Sequence, residues 1–548
     1  MLAVQINPEV QAMLSMTHRT YKETRLSKAR KDGGYWECPR VDGAIRCNQL
    51  NPLDADVTNV LSKVVWRPNN QHEFKLTGEY FSSDTDVRQL YDYGWQANGS
   101  FNGDYLRNQR QTRGRIAIAD TWTPLSNYVD RVKWQLSYSP QKRNLTSNRD
   151  QINTSGQSVH TYTQTHYKEN FLELDVQLSS SLNTASTRHT LTYGFQGDTT
   201  KTDYTTKTIT ENYTLASIVE RVAGGANFAN AKTRRADLFI QDEIKLLDDR
   251  FTLTPGVRWA TYQIDPKTDE NYTIMPGKEP RKLSANRWVP EFGMMYQLTP
   301  VYSVYGRYAE GFKMPTAQQL YTSYQMSSGA GIIPNPDLKP EKVKSYEIGV
   351  RGQYQNAWFS LSGFIANYDD YIQSFTPIGT DYTYSNLSQV KIKGVEAFAE
   401  WRFLPQWALN DSVSYLYGRQ KASEDAEETY YNGVSPLTAT LGLKWTHADK
   451  KLDAEIIGTF ANKVTVSESE TDFKAHGYTV FDAYLSFKPT KNFTLRASIL
   501  NLFDRRYFAV PFATAYSMSL SSAVAATNPL ELQTAPGRVF GLDISARF

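Results

Sequence analysis

The sequence predicts an all-β fold, a transmembrane antiparallel β-barrel of which about twenty strands can be recognised. Three observations lead to this prediction. Many segments alternate apolar and polar residues with a period of two, the connections between them tend to alternate between short and long, and no run of about 18 apolar residues is present to form a membrane helix. The mean hydropathy of such a barrel is low, because only the side chains that face lipid are apolar and those that face the lumen are polar.

The alternation is clearest towards the carboxyl end of the chain. Segments 477–488, 493–499 and 437–445 place apolar residues on one face and polar residues on the other. Residues 537–548 alternate in the same way up to the final residue, Phe548. In the first segment the apolar face holds Phe481, Ala483, Leu485 and Phe487, and the polar face holds Asp482, Tyr484, Ser486 and Lys488.

The lengths of the connections indicate how the strands are arranged. A soluble β-sandwich has no reason to segregate its loops by length, whereas a membrane barrel has short turns on one side and long loops on the other. Closure into a barrel also removes the edge strands that so wide a sheet would expose. Strands are predicted to start near residues 9, 56, 72, 108, 130, 162, 188, 233, 250, 287, 301, 343, 357, 390, 406, 437, 451, 477, 493 and 537. The predicted long connections are 21–55, 144–161, 208–232, 265–284, 313–342 and 504–536.

Composition and motifs exclude several classes of protein. A net charge of +3 over 548 residues gives no basis for binding nucleic acid. The sequence contains no nucleophile with a neighbouring base, no phosphate-binding loop and no redox motif, so it predicts neither an enzyme nor a metal site or intrinsic cofactor. The start of the chain also lacks the basic and apolar regions of a signal peptide.

The two cysteines, Cys38 and Cys47, lie close together in the segment ECPRVDGAIRC. This segment belongs to a predicted long connection, where an oxidising compartment favours a disulfide that closes the loop. A metal site would need further ligands, and none is nearby in the sequence. Two free thiols are the alternative.

Two boxes bracket the predicted connection 313–342. GFKMPT occupies 311–316 and PNPDLKPE occupies 334–341, and their prolines fix φ and predict a shaped loop. The boxes resemble those that bracket one extracellular loop in haem and haemoglobin receptors, which are TonB-dependent transporters of the Gram-negative outer membrane. The residues that carry this resemblance are Phe312, Pro315, Asn335, Pro336 and Leu338.

Further stretches extend the resemblance over most of the chain from about residue 233 onward. NLFDRRY at 501–507 resembles the end of the penultimate strand in these receptors, and the terminal Phe548 is similar to the ending of outer-membrane barrels. Such receptors have a signal peptide, a TonB box, a plug domain and a barrel of about 22 strands. The first three are absent from this sequence, so the resemblance implies that residues 1–548 form an N-terminally truncated barrel domain, without the plug and roughly two strands.

The resemblance implies a function as well as a fold. It implies uptake of haem, or of haem carried by haemoglobin, across the outer membrane of a Gram-negative bacterium, powered by the TonB-ExbB-ExbD system through a plug domain. Outer-membrane lipid and lipopolysaccharide would surround the barrel, and haem would be the transported ligand. A ferric-siderophore receptor shares the barrel and its final motifs. A plugless porin-like barrel or a non-functional remnant is an alternative of another class.

Haem iron in proteins is bound by His, Cys, Met or Tyr, which defines the candidate ligands. His160 and His166 lie six residues apart in HTYTQTH, so a strand places them on the same face, near a predicted long connection. Ordinary polar residues at the barrel rim are the alternative. His72, His189 and His447 lie at or beside predicted short turns and are expected on the opposite rim.

The connection between the two boxes offers a second set of candidates. Receptors that resemble this chain usually carry a histidine there, whereas this chain has Tyr321, Tyr324 and Met326. Because tyrosinate is a known haem ligand, the loop is expected to contribute through these side chains. Contact with a protein carrier, or packing within the loop, is the alternative role of the tyrosines.

The cysteine spacing leads to a testable prediction. In protein isolated from oxidised outer membranes we expect a Cys38–Cys47 disulfide, because both residues belong to one exterior loop. Maleimide labelling should detect no free thiol before reduction and two thiols after it. Quantitative labelling of both cysteines without a reductant would refute the bridge.

Overall fold

The structure is a computed structural model that describes residues 2–27, 50–96, 99–224, 229–272, 274–325, 331–468, 474–509 and 533–546. Cys38, Cys47 and the terminal Phe548 lie outside these residues. Regular structure in the described part is almost entirely β-strand. The strands of the first half are β1 Leu2–Gln5, β2 Val10–Lys22, β3 Leu53–Trp66, β4 His72–Arg88, β5 Gly94–Trp95, β6 Phe101–Trp122, β7 Arg131–Ile152, β8 Ser158–Asn183, β9 Arg188–Asn212, β10 Ser217–Gly224, β11 Ala231–Leu246, β12 Phe251–Pro266 and β13 Leu283–Gln297.

The second half continues the same pattern. Two short helical elements interrupt the strands, the 3₁₀ turn Leu90–Asp92 and the helix α1 Ala317–Tyr321. Among the described residues no helix is long and apolar enough to cross a membrane. The remaining strands are β14 Tyr302–Lys313, β15 Tyr324–Gln325, β16 Gly331–Ile333, β17 Glu341–Gln353, β18 Ala357–Ile378, β19 Asp381–Leu404, β20 Trp407–Lys421, β21 Thr429–Tyr430, β22 Thr438–Thr446, β23 Leu452–Ala461, β24 Tyr478–Thr490, β25 Phe493–Leu500 and β26 Val539–Ala546.

One continuous antiparallel sheet contains all the long strands. They pair in chain order, from β2 with β3 to β25 with β26, and the short strands attach at the side of this series. The two ends of the sheet meet where Leu26 forms a bridge with Pro536 and the amide of Gly537 donates to the carbonyl of Arg25 at 3.1 Å. The sheet therefore curves into a barrel. Within the described residues, no ladder joins β26 to β1 or β2.

The strand predictions are confirmed. Every strand expected from the alternation is present. The largest error in a strand start is at β19, expected near residue 390, which begins at Asp381. Gly379 has a φ of 61°, a left-handed conformation that allows a two-residue turn between β18 and β19. The outer parts of these strands are therefore longer than the alternation indicates.

Two of the predicted long connections, 144–161 and 208–232, are largely strand, so this part of the prediction is wrong. β7 continues to Ile152, β8 starts at Ser158, and β9 continues to Asn212 before β10 turns back along it. The sequence here is rich in threonine, a β-branched residue that favours strands. The threonine hydroxyls also pair across the ladder, as in Thr163 with Thr208 at 3.5 Å.

The outer parts of β6 to β9 form a tall wall. A tilted strand crosses a bilayer with about 9–11 residues, whereas β8 has 26 residues and β9 has 25. These strands therefore rise well beyond the membrane on the side of the long loops. We call the long-loop end of the barrel its mouth.

The side chains of each strand alternate between the outer surface and the lumen. On β11, Leu238 is 52% exposed, whereas the neighbouring Asp237 is 1% exposed and forms ion pairs with Arg235 and Arg258 at 2.6 and 3.1 Å. A band of exposed apolar side chains along one face of most of the long strands is the lipid-facing surface of a membrane barrel. Outward residues of this band include Leu136, Leu172, Leu174, Ile240, Ile348, Leu361, Leu441 and Leu542.

The three histidines expected on the short-turn rim lie there. His72 opens β4, His189 is the second residue of β9, and His447 follows β22. The ring of His72 stacks against those of Phe74 and Trp122, with centroids 5.5 and 5.8 Å apart, which is typical of the aromatic girdle of a barrel. Each histidine has an aspartate within hydrogen-bonding distance: His72 with Asp120, His189 with Asp242, and His447 with Asp449.

The assignment of faces can be tested on adjacent residues of β11. Ile240→Arg places a charge on the lipid-facing surface, so we expect the free energy of unfolding in lipid vesicles to fall by about 2–4 kcal/mol. Gln241→Arg, on the lumen-facing side, is the control and should change it little. Urea titrations of the folded barrel measure both. Equal losses in the two variants would contradict the assigned faces.

Candidate ligand-binding site

The described part of the connection between the two boxes is folded rather than irregular. Its first part is the helix α1, which follows the N-cap Thr316. The hydroxyl of Thr316 accepts a hydrogen bond from the amide of Gln319 at 3.2 Å, and the side chain of Gln319 accepts one from the amide of Thr316 at 2.9 Å. This capping box pairs two amide groups that a short helix would otherwise leave free. We call residues 314–340, between β14 and β17, the box loop.

The residues of the boxes hold the box loop in shape. Pro315 and Pro336 are buried and Leu338 is 1% exposed. The side-chain amide of Asn335 donates to the carbonyl of Tyr384 on β19 at 2.9 Å. Because fixed φ angles, buried side chains and a hydrogen bond to the barrel act together, the prediction of a shaped loop is confirmed.

An ion pair closes the base of the box loop. Phe312 is opposite Lys342 at the top of the ladder between β14 and β17. Next to it, the ammonium of Lys313 lies 3.3 Å from the carboxylate of Glu341. Glu341 is 7% exposed and also accepts a hydrogen bond from the amide of Ile372 on β18 at 2.9 Å. The box loop is thus tied to the strands on both sides of its base.

An aromatic core fixes the box loop inside the mouth. Leu320 and Tyr321 of α1 are completely buried. They belong to one cluster with lumen-facing side chains from strands on several sides of the mouth, which links the loop to both sides of the barrel. The residues that the long strands contribute to this cluster are Tyr204 of β9, Ala231 of β11, Ile264 of β12, Ile372 of β18 and Tyr384 of β19.

Tyr321 serves this packing. Its hydroxyl donates to the carbonyl of Arg281 at 2.6 Å, and the hydroxyl of Tyr272 donates to the carbonyl of Tyr321 at 3.1 Å. Burial raises the pKa of Tyr272 to about 12 and also raises the pKa of Tyr321. Tyrosinate is the form that binds haem iron, so ligation by Tyr321 would require the loop to unpack. The side chain of Tyr324 and the whole of Met326 lie outside the described part of the chain.

His160 and His166 share one face of β8, as predicted, and that face is the outer one. Both lie an even number of residues from Leu172, which is exposed on the outer surface, and the β7–β8 ladder has no register shift between them. All three side chains therefore point outward. Nδ1 of His160 lies 2.7 Å from a carboxylate oxygen of Asp150, and Nδ1 of His166 lies 2.9 Å from the amide oxygen of Asn144. Six residues of strand span about 20 Å, so the two rings cannot bind the same iron together. Each is a separate candidate on the outside of the tall wall.

The lumen-facing side of the tall wall carries arginines. Because arginine is not a ligand of haem iron, these residues are not among the candidates predicted from the sequence. They lie at odd-numbered positions of β6 and β7, like Arg115, which pairs with Glu79 at 3.1 Å inside the barrel. The even-numbered neighbour Ile116 is 57% exposed on the outer surface. The period of two that identifies the lipid-facing side identifies these residues as well. They are Arg107, Arg113, Arg143 and Arg149.

A carboxylate lies near the upper arginines. Asp92 ends the 3₁₀ turn between β4 and β6. Burial raises the pKa of Asp92 to about 6, and the positive charges of Arg149 and Arg107 act in the opposite direction. Asp92 therefore becomes protonated as the pH falls through about 6. Below this pH it no longer offers a negative charge to the two arginines.

Comparison with known proteins identifies the family. A family model described as "TonB dependent receptor-like, beta-barrel" matches residues 61–502. The chain belongs to this family of receptors. The receptor is therefore an outer-membrane barrel, and its short turns lie on the periplasmic side and its long loops on the extracellular side.

Curated relatives of the receptor are named after haem or haem-carrying proteins. It is 26% identical over 351 residues to "Hemoglobin-haptoglobin utilization protein B" of Neisseria meningitidis serogroup C, an alignment that covers 55% of this chain and 42% of that protein. It is 24% identical over 483 residues to the "Hemin receptor" of Yersinia pestis, which covers 83% of this chain and 63% of that protein. The chain thus spans less than two thirds of each of these relatives.

A solved structure shares the fold. The "Copper transporter OprC" superposes on the receptor with a TM-score of 0.75 at 14% sequence identity, covering 99% of this chain and 76% of that chain. This likeness supports the barrel architecture that the ladders define. At such low identity it concerns the fold alone.

The packing of the box loop leads to a prediction about Tyr321. Tyr321→Ala removes a fully buried aromatic ring, which typically costs about 3–5 kcal/mol, so we expect the loop to open locally. Trypsin should then cleave after Arg281 and Lys282, which lie beside the box loop, faster than in the unchanged receptor. Tyr321→Phe keeps the ring and serves as the control, with cleavage close to that of the unchanged receptor. Equal cleavage rates in the alanine variant and the unchanged receptor would contradict a packing role for Tyr321.

Proposed function

We propose that the receptor takes up haem, or haem delivered by haemoglobin, through the outer membrane. One observation carries this proposal: the two boxes that resemble those of haem receptors fold into a single loop that lies inside the mouth. The names of the two relatives support the same cargo, since one refers to haemoglobin with haptoglobin and the other to hemin. Haem is in this proposal the transported ligand and not a resident cofactor.

The proposed route follows the two faces of the barrel. Cargo arrives on the extracellular side, contacts the box loop and the tall wall, and passes into a lumen lined by polar side chains. Transport of this kind is active and requires the TonB-ExbB-ExbD system acting through a plug domain, with residues 1–548 as the barrel domain. The apolar outer surface contacts outer-membrane lipid, and the strands above it contact lipopolysaccharide. The proposed role is transport, without catalysis.

The proposed contacts to cargo differ in position. His160 and His166 face outward, so each is proposed as a separate contact to a carrier protein or to haem held at the outside of the tall wall. Tyr324 and Met326 are proposed as contacts from the far end of the box loop. Tyr321 would act indirectly, by holding that end in place.

A ferric siderophore is the second candidate cargo. The box loop contains no histidine, although receptors with similar boxes usually carry one there. Tyrosine hydroxyls and a polar lumen are compatible with a siderophore as well. The two cargoes differ in a measurable property, because haem bound to protein shifts its Soret absorption and a ferric siderophore has no Soret band.

The proposal is tested by the iron sources that the receptor supports. In an outer membrane that lacks other haem receptors, we expect TonB-dependent growth with haem or haemoglobin as the sole iron source. A titration of the detergent-solubilised receptor with haem should shift the Soret band, and separate His160→Ala and His166→Ala variants show whether either ring contributes. A receptor that causes no Soret shift and binds a ferric siderophore would overturn the haem assignment and leave the barrel and transport class unchanged.

A further inference from the structure

The lumen-facing arginines of β6 and β7 are the strongest feature without an assigned role. We propose that Arg113 and Arg143 bind the two carboxylates of haem as it enters the mouth, while Arg107 and Arg149 add positive charge above them. This inference rests on the proposed function, because it names haem as the cargo. It concerns the acidic edge of the cargo and is independent of which side chain reaches the iron.

The ladder between β6 and β7 places the two arginines side by side. Arg113 is opposite Gln141, and Arg143 is opposite Gln111, so the arginines are diagonal neighbours on adjacent strands. Diagonal neighbours of one face lie about 7–8 Å apart. Two long side chains with this separation can reach two carboxylates on one edge of a planar porphyrin. Each guanidinium also presents paired donors that match a carboxylate.

The two arginines are available to a ligand. Both are exposed at the mouth, and in the described part of the chain neither forms an ion pair. One step deeper in the lumen, by contrast, Arg115 pairs with Glu79. Unpaired cations that face one cavity repel each other, and an anionic ligand relieves that repulsion.

The charges on this wall have the sign that suits a dianion. Among the described residues, two carboxylates face the same region as the four arginines, those of Asp92 and Glu169. Glu169 already accepts a hydrogen bond from the hydroxyl of Tyr167 at 2.6 Å. Even with both carboxylates ionised, this part of the wall retains an excess of two positive charges. That excess equals the charge of the two ionised propionates of haem.

Aromatic rings hold two of the guanidinium groups in position. The guanidinium of Arg143 lies over the ring of Tyr167 at 5.4 Å from the centroid, and that of Arg149 lies over the ring of Tyr105 at 5.6 Å. Cation–π contact of this kind orients a guanidinium without using its hydrogen-bond donors. The site is thus partly organised before the ligand arrives.

The chain provides a matched control for testing this pair. Arg113→Gln with Arg143→Gln removes two positive charges from the lumen-facing side. Arg110→Gln with Lys142→Gln removes two positive charges from the same strands, at exposed even-numbered positions on the outer side. The probes are haem and haem dimethyl ester, in which both carboxylates are capped. Affinities are measured with the full chain in detergent micelles, and heat-modifiability on gels checks that each variant is folded.

We expect the inner pair to weaken haem binding by about tenfold or more, because two charge-assisted hydrogen bonds are lost. The outer pair should change it less than about twofold, since surface charges at that distance are largely screened. The dimethyl ester should bind the inner-pair variant and the unchanged receptor equally. Equal effects of the two pairs on haem, or an equal loss with the ester, would overturn the arginine site and leave the proposed function standing. An unchanged receptor that binds no haem would overturn both.

Discussion

Backbone hydrogen bonding around the antiparallel sheet determines which side chains face lipid and which face the lumen. In lipid an unpaired amide or carbonyl costs several kcal/mol, so a spanning strand must be paired on both sides. The continuous ladder from β2 to β26 meets this demand along the series and fixes the register of each strand. A shift by one residue would turn every apolar side chain into the lumen. The backbones of paired strands also approach each other closely. At Gly194 there is no room for a side chain, because a Cβ there would lie 2.0 Å from the carbonyl oxygen of Val176.

The fixed register also decides where charges can lie. Deep in the lumen, Asp237 accepts hydrogen bonds from both Arg235 and Arg258, and Arg258 also donates to Gln196 at 3.1 Å. A charge buried to that degree is costly unless it is paired. At the mouth, water solvates charged groups and the cost of leaving them unpaired is small. Uncompensated arginines are therefore tolerated on the tall wall, at the level where an incoming anion would meet them.

The sequence predicts the strands well because each strand has two chemically different faces. In the outer segments both faces are polar, so the alternation of apolar and polar residues no longer identifies the strands there. Threonine-rich stretches such as 199–210 have no apolar face and resemble a loop in composition, yet they continue the ladder as strand. Parity counted from Leu172 would have placed His160 and His166 on the outer surface from the sequence alone. The burial of Tyr321 could not be predicted in this way, because its partners come from strands far apart in the chain.

The box loop and the strands beside it suit different roles in the binding of a ligand at the mouth. A capping box, buried prolines, the ion pair between Lys313 and Glu341 and an aromatic core hold the described part of the loop in one arrangement before any ligand binds. A loop ordered in advance does not lose its conformational entropy on binding, which favours affinity. In this arrangement the hydroxyl of Tyr321 already donates a hydrogen bond to the carbonyl of Arg281. A loop without histidine whose best-placed tyrosine is already used is suited to shaping the entrance. In the proposed arginine site, the recognition of a dianionic ligand falls to the rigid strands beside the loop, where the β6–β7 ladder positions each arginine.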